Sequence, residues 1–211
     1  MKIKGYDVFL WFITIVFIAS IFFMPATVPI HWDINMKVDQ YGSRYFYLIF
    51  AFLPIFTYYG MNFTKKIDPR KQKIEERGKT YNIFRIMLSV FFIVIGFLFE
   101  SLVFYPQVDV KMILSIIFGC LFILMGNYMP KLPQSYFLGV RTPWTLANEY
   151  VWKKTHQVCG YLFVVTGIMV IILGFFNTVL AFIFLIAMVI IDAIFSYVYS
   201  YMLYKKRQNI D

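Results

Sequence analysis

This chain has little charge: only 15% of its 211 residues are Asp, Glu, Lys or Arg. A soluble domain carries about 25%. It has two cysteines, Cys120 and Cys159, 39 residues apart and without paired spacing. They fit buried, space-filling thiols better than a disulfide framework or a metal site. It has only two histidines. It has no HExxH pair, no activated nucleophile with a base beside it and no paired-metal carboxylate set, so hydrolytic and metal-assisted chemistry lacks its usual residues. There is no internal repeat, no low-complexity linker and no polar segment long enough for a soluble domain. No nucleic-acid recognition fold is present, so direct nucleic-acid binding is not expected. No cofactor motif occurs.

What the chain does have is apolar length. Hydrophobic residues make up 61% of it. They fall in six uncharged or nearly uncharged runs, roughly 8–24, 45–63, 81–105, 112–127, 157–176 and 178–204. Each is close to the ~20 residues that span a bilayer as a helix. Short alternating segments of the β-barrel kind are absent. The pattern predicts an all-α, polytopic transmembrane bundle of six helices in a lipid bilayer. Lys2 and Lys4 precede the first run, but MPATVP follows it instead of a cleavage site, so an uncleaved first helix is expected. Of the 20 Lys and Arg residues, 17 fall on one side of such a bundle and only Lys37, Arg44 and Lys111 on the other. Positive loops stay inside, which puts both termini in the cytoplasm. The net charge of +9 then serves orientation and contact with anionic lipid. A boundary near residue 80 divides a two-helix module, 1–80, from a four-helix module, 81–211.

Residues 136–156, YFLGVRTPWTLANEYVWKKTH, break the apolar monotony. Thr142 before Pro143 is a helix start, with Thr as N-cap and Pro at the first helical position. If that helix runs on into the fifth span, Trp144, Asn148, Trp152 and His156 share one face. Glu149 and Lys153 can pair four residues apart, and Gly139 suits a tight loop. An interfacial helix accounts for the aromatics and lysines. It does not require Arg141, Asn148, Glu149 and His156 together with Asn127, which leaves a binding or switching constellation as the other reading.

The ordered pattern Gly126, Asn127, Gly139, Val140, Arg141, Thr142, Pro143, Trp144, Thr145, Leu146, Glu149, Val151 and Trp152 resembles the signature of the SdpI-type family. The first loop, VPIHWDINMKVDQYGSR, resembles a Pro-x-His-Trp module found ahead of that signature in longer members. Pro29, His31, Trp32, Asp39 and Arg44 match it, with Met36 where a Gly is usual. The resemblance implies six spans in a bacterial cytoplasmic membrane and protection from a secreted, membrane-active peptide toxin. It also implies a relay of toxin presence to a cytoplasmic repressor protein.

His31, Asp33 and Asp39 are too few ligands on their own for a convincing metal site. A proline-shaped re-entry loop, or a docking surface for an extracellular peptide, are the other readings. Asp192 lies about 20 Å from either end of its run, near mid-membrane. Glu100 lies roughly 23 Å along the axis from Arg85. Ionisable residues at such depths mark function or hydrogen-bonded helix contacts. A small transporter or carrier using Asp192 and Glu100 is therefore an alternative to immunity. So is a lipid-headgroup protein using the Arg141 loop. Enzymatic use of Arg141 with His156 or Glu149 as base lacks a nucleophile, and the protein is not expected to be an enzyme.

Overall fold

A computed structural model describes residues 5–35, 37–76 and 78–208. Lys2, Lys4 and Met36 lie outside them. The helices are α1 (Gly5–Ile21), α2 (Leu48–Ile67), α3 (Lys71–Glu76), α4 (Gly78–Phe104), α5 (Lys111–Tyr128), α6 (Pro143–Ala147), α7 (Glu149–Phe176) and α8 (Thr178–Gln208). Five of these segments, α2, α4, α5, α7 and α8, are long and apolar enough to cross a membrane. In lipid a helix satisfies its own backbone groups, which is why uncharged runs of this length become helices. At 17 residues α1 is shorter, about 26 Å against a hydrocarbon core of ~30 Å. Three i→i−3 bonds, from Phe22, Phe23 and Met24, carry the chain on as a tighter turn.

The chain forms two compact units, one of residues 1–62 and 85–111 and one of 63–84 and 112–211. The boundary expected near residue 80 does not coincide with this division: residues 63–84 pack with the C-terminal helices, and 85–111 with the N-terminal ones.

In the first unit, Leu10 and Phe17 of α1 pack with Ala51 and Tyr58 of α2 and Ile93 of α4. Pro54, inside α2, has no N–H to give the preceding turn. Its carbonyl accepts from the Ser89 hydroxyl of α4 at 3.1 Å. Arg85 is buried, donates to the Tyr58 hydroxyl at 3.1 Å and lies 4.0 Å over its ring. The loop after α1 adds a small strand element to an otherwise helical bundle. It is an antiparallel hairpin of β1 (Thr27–Trp32) and β2 (Val38–Ser43). Register shifts between Pro29, His31 and Trp32 disguise the strand alternation in the sequence.

In the second unit α5 crosses α7 on glycines. A Cβ on Gly126 would stand 2.5 Å from the Gly160 carbonyl, and one on Gly160 would stand 2.7 Å from that of Gly126. Backbone contact of this kind suits helices in lipid, where packing has no hydrophobic drive. Of the two cysteines only Cys159 is buried; Cys120 is exposed on α5, against the expectation for both.

Candidate functional site: a pinned polar cap

The segment joining α5 to α7 is held by its own polar groups and by the segment after α2. Thr142 caps α6: its hydroxyl accepts the Thr145 N–H at 3.1 Å, while the Thr145 hydroxyl accepts the Thr142 N–H at 2.8 Å. The Thr142 hydroxyl also meets the Ser200 hydroxyl of α8 at 2.9 Å. The Thr142 cap is the helix start expected from the Thr-Pro pair; the reciprocal bond from Thr145 is added by the structure. The helix does not continue, however. Asn148 adopts an extended backbone (φ −135°, ψ 126°), and its side-chain oxygen accepts the N–H groups of Tyr150 and Val151, so it starts a second helix, α7. Asn is among the best N-caps, and here that preference outweighs continuation. The one-face expectation therefore fails. Trp144 leaves with α6 and packs on Tyr197 and Tyr201 of α8, at 4.8 and 5.0 Å between ring centres.

Trp152 and His156 do stay together, stacked at 4.0 Å. His156 is fully buried. Its Nε2 accepts the Val140 N–H at 2.9 Å, so Nδ1 carries the proton and donates to the Trp152 carbonyl at 2.8 Å. Both ring nitrogens are thus committed to backbone. Gly139, at φ +102°, lets the loop fold over this ring; a Cβ there would sit 2.4 Å from His156 Nε2. The Trp152 indole donates to the Leu132 carbonyl at 3.0 Å. His156 is a structural pin, and base chemistry is closed to it.

Arg141 is exposed. One guanidinium nitrogen donates to the Tyr136 carbonyl at 3.0 Å. Glu149, its candidate partner by sequence, is engaged elsewhere, by Lys73 at 2.9 Å and Lys153 at 3.1 Å. The Lys153 pair is the i,i+4 bridge expected; Lys73, 76 residues away in sequence, could not be foreseen.

Sequence reasoning missed the residue that organises the front of the cap. Asp68 is 1% exposed. One carboxylate oxygen accepts the Arg70 N–H at 2.8 Å; the other accepts the Ser135 hydroxyl at 2.7 Å and the Tyr136 N–H at 2.9 Å. Arg70 donates to the Leu146 carbonyl at 2.6 Å and lies over Tyr136. Gln134 bonds the Thr145 carbonyl at 2.6 Å. The Asp68-Pro69 dipeptide inside a basic run was the available signal, since Asp-Pro starts turns. Asn127 is exposed beside the cap at the end of α5, its amide donating to the Ile123 carbonyl at 3.0 Å.

The remaining candidates lie elsewhere. His31 Nδ1 and Asp39 Oδ1 are 2.6 Å apart across the hairpin, both well exposed. Trp32 leans on Phe99 at 4.9 Å between ring centres, and the Tyr47 hydroxyl donates to the Pro29 carbonyl at 3.0 Å. With Phe46 and Phe50 these residues line a cavity of about 300 Å³. Among the described residues no three His, Cys, Asp or Glu side chains converge on a metal-sized point. Glu100 is buried and accepts the Ser20 hydroxyl at 2.8 Å. Asp192 is 4% exposed, and neither carboxylate oxygen has a hydrogen-bond partner among the described residues.

Residues 131–200, which include α6, all of α7 and most of α8, match the SdpI/YfhL protein family. Residues 8–57 match a domain of unknown function, DUF1648. The chain is 25% identical over 188 residues to the Immunity protein SdpI of Bacillus subtilis (strain 168), covering 87% of this chain and 86% of that protein. No solved structure matches it. With the matched signature built into one hydrogen-bonded cap and five helices long enough to span a bilayer, this multi-pass bacterial membrane protein is similar to the SdpI/YfhL family over residues 131–200.

Proposed function

We propose that this protein is a membrane immunity protein, which protects its own cell from a membrane-active peptide toxin. The observation that carries the reading is the similarity to an immunity protein along 87% of the chain, reaching into both compact units. In this reading six helices span the membrane, α1 included, with both termini inside, as the 17 basic residues on one side favour. The cap then faces the cytoplasm and the hairpin faces outward, where a secreted peptide arrives. The cap is the output surface. Its backbone is fixed by Asp68, Thr142 and His156, so Arg141 is offered outward on a rigid support with most of its donors uncommitted. A forked guanidinium suits a carboxylate bidentately, which fits an acidic surface on a cytoplasmic repressor held at the membrane while toxin is present.

The experiment is a survival assay of a sensitive bacterium expressing the wild type, Arg141→Lys or Glu149→Gln under peptide challenge. Protection by wild type, loss with Arg141→Lys at equal abundance and a milder effect of Glu149→Gln support the reading. Two substituted proteins that protect like wild type would leave the cap as interfacial packing.

One observation favours a second reading, a small carrier: the buried, unpartnered carboxylate of Asp192. Such a group in a spanning helix is costly and marks function. Asp192→Asn keeps size and hydrogen-bonding capacity. Loss of protection at normal abundance would turn the account toward transport.

A further inference from the structure

Beside the glycine crossing of α5 and α7 lies an open-sided groove of about 400 Å³. Gly126 and Gly160 form its floor, Pro130 and Val164 its apolar walls, and Asn127, Lys153, Gln157 and Tyr161 its polar rim. We propose that this groove binds one anionic phospholipid, its headgroup at the rim and an acyl chain along Val164.

The charge is complementary. No acid lines the groove. Lys153 bonds Glu149 at 3.1 Å, but Lys73 shares the same carboxylate, so the trio keeps a charge of +1. An ammonium has three donors, and this contact occupies one of them. Gln157 and Tyr161 are exposed and supply further donors to phosphate and ester oxygens. One Asn127 donor is committed to the Ile123 carbonyl; its side-chain oxygen suits a headgroup hydroxyl. The order along α7 also fits a lipid: a lysine at the polar end, then an amide one turn on, a tyrosine one turn further, then Val164. Tyrosine favours the interface and valine the chain region. Basic pockets between spanning helices take lipid headgroups in this way. The groove explains why an Asn follows the Gly at the end of α5, a pairing that the cap itself leaves unused.

The test is native mass spectrometry of the full-length protein released from mixed bilayers of equal phosphatidylglycerol and phosphatidylcholine. The wild type should keep phosphatidylglycerol in preference. Lys153→Gln should lower that preference about fivefold, the ~1 kcal/mol that one lysine contributes near an anionic surface, while Lys153→Arg keeps it. Lys206→Gln, near the C-terminal end of α8 and outside the groove lining, should leave it unchanged. Unfolding temperatures identify any substitution that disturbs the fold, and Gln157→Leu provides a second, uncharged probe, expected to weaken the preference. Equal retention of both lipids overturns the proposal, as does a preference that survives Lys153→Gln and Gln157→Leu or falls equally with Lys206→Gln. Loss of the preference in millimolar inorganic phosphate would assign the groove to free anions and overturn the lipid.

Discussion

The two histidines of this chain stand in opposite surroundings. The His31 side chain is 63% exposed on a hairpin, with Asp39 as its partner. His156 is 0% exposed, and both its nitrogens are spent on backbone groups. One can exchange its partner for something that arrives; the other cannot move without opening the loop it closes. The same side chain is an available group in one unit and a pin in the other. The difference teaches that a polar residue amid apolar ones is functional only if its donors and acceptors are not already taken. By that criterion Arg141 and His31 are open, while His156, Thr142 and Asp68 are closed.

The comparison breaks most sharply at His156. Removing the ring leaves the Val140 N–H without its partner, takes from the Trp152 carbonyl its second donor beyond the helical bond, and opens a void beside Trp152. An orphaned donor costs ~1–3 kcal/mol and the void left by a fully buried ring adds to it, so His156→Ala should lose about 3 kcal/mol, seen as a large fall in unfolding temperature in detergent and in membrane abundance. His156→Gln, which can restore one bond, should recover part of it. A stable, fully abundant His156→Ala protein would remove the pin from the account.

Thr142→Ala comes next. It deletes the cap of α6 and the contact with Ser200. N-caps contribute ~0.5–2 kcal/mol, so unfolding should shift measurably while the protein still accumulates.

Arg141→Lys should change stability by less than about 0.5 kcal/mol, the usual range for a surface site, yet it should cost much of the protection. Glu149→Gln should cost less protection, because the anion that Arg141 serves is not Glu149.

Smallest of all is His31→Ala. An exposed pair contributes ~0–1 kcal/mol, so unfolding should hardly move. A loss of protection without loss of stability would place the hairpin in toxin contact. A loss of stability as large as that of His156→Ala would erase the contrast between the two histidines.

Much of this was legible beforehand, for identifiable reasons. Uncharged runs gave the long helices, because a bilayer leaves a backbone few alternatives. Thr142 and Pro143 gave the start of α6, because capping is local chemistry. The hairpin was not legible: its strands are six residues each, Pro29 interrupts one, and the register slips at His31. The break at Asn148 was misread because helical spacing alone cannot tell a helix residue from an N-cap. Asp68 was hidden because its partners, Ser135 and Tyr136, lie 67 and 68 residues away, and only the fold brings them together. The site's rigid half depends on long-range pairing; its open half, Arg141, was visible in the motif.

The central claim is that this protein protects its own cell. Its most direct test is the survival of a sensitive bacterium carrying the gene, against an empty vector, under a graded dose of a membrane-active peptide toxin. The account predicts growth at doses that kill the control, and a return to killing when Arg141→Lys replaces the wild type at equal membrane abundance. Survival curves that coincide with the empty vector across toxins from neighbouring strains would contradict it.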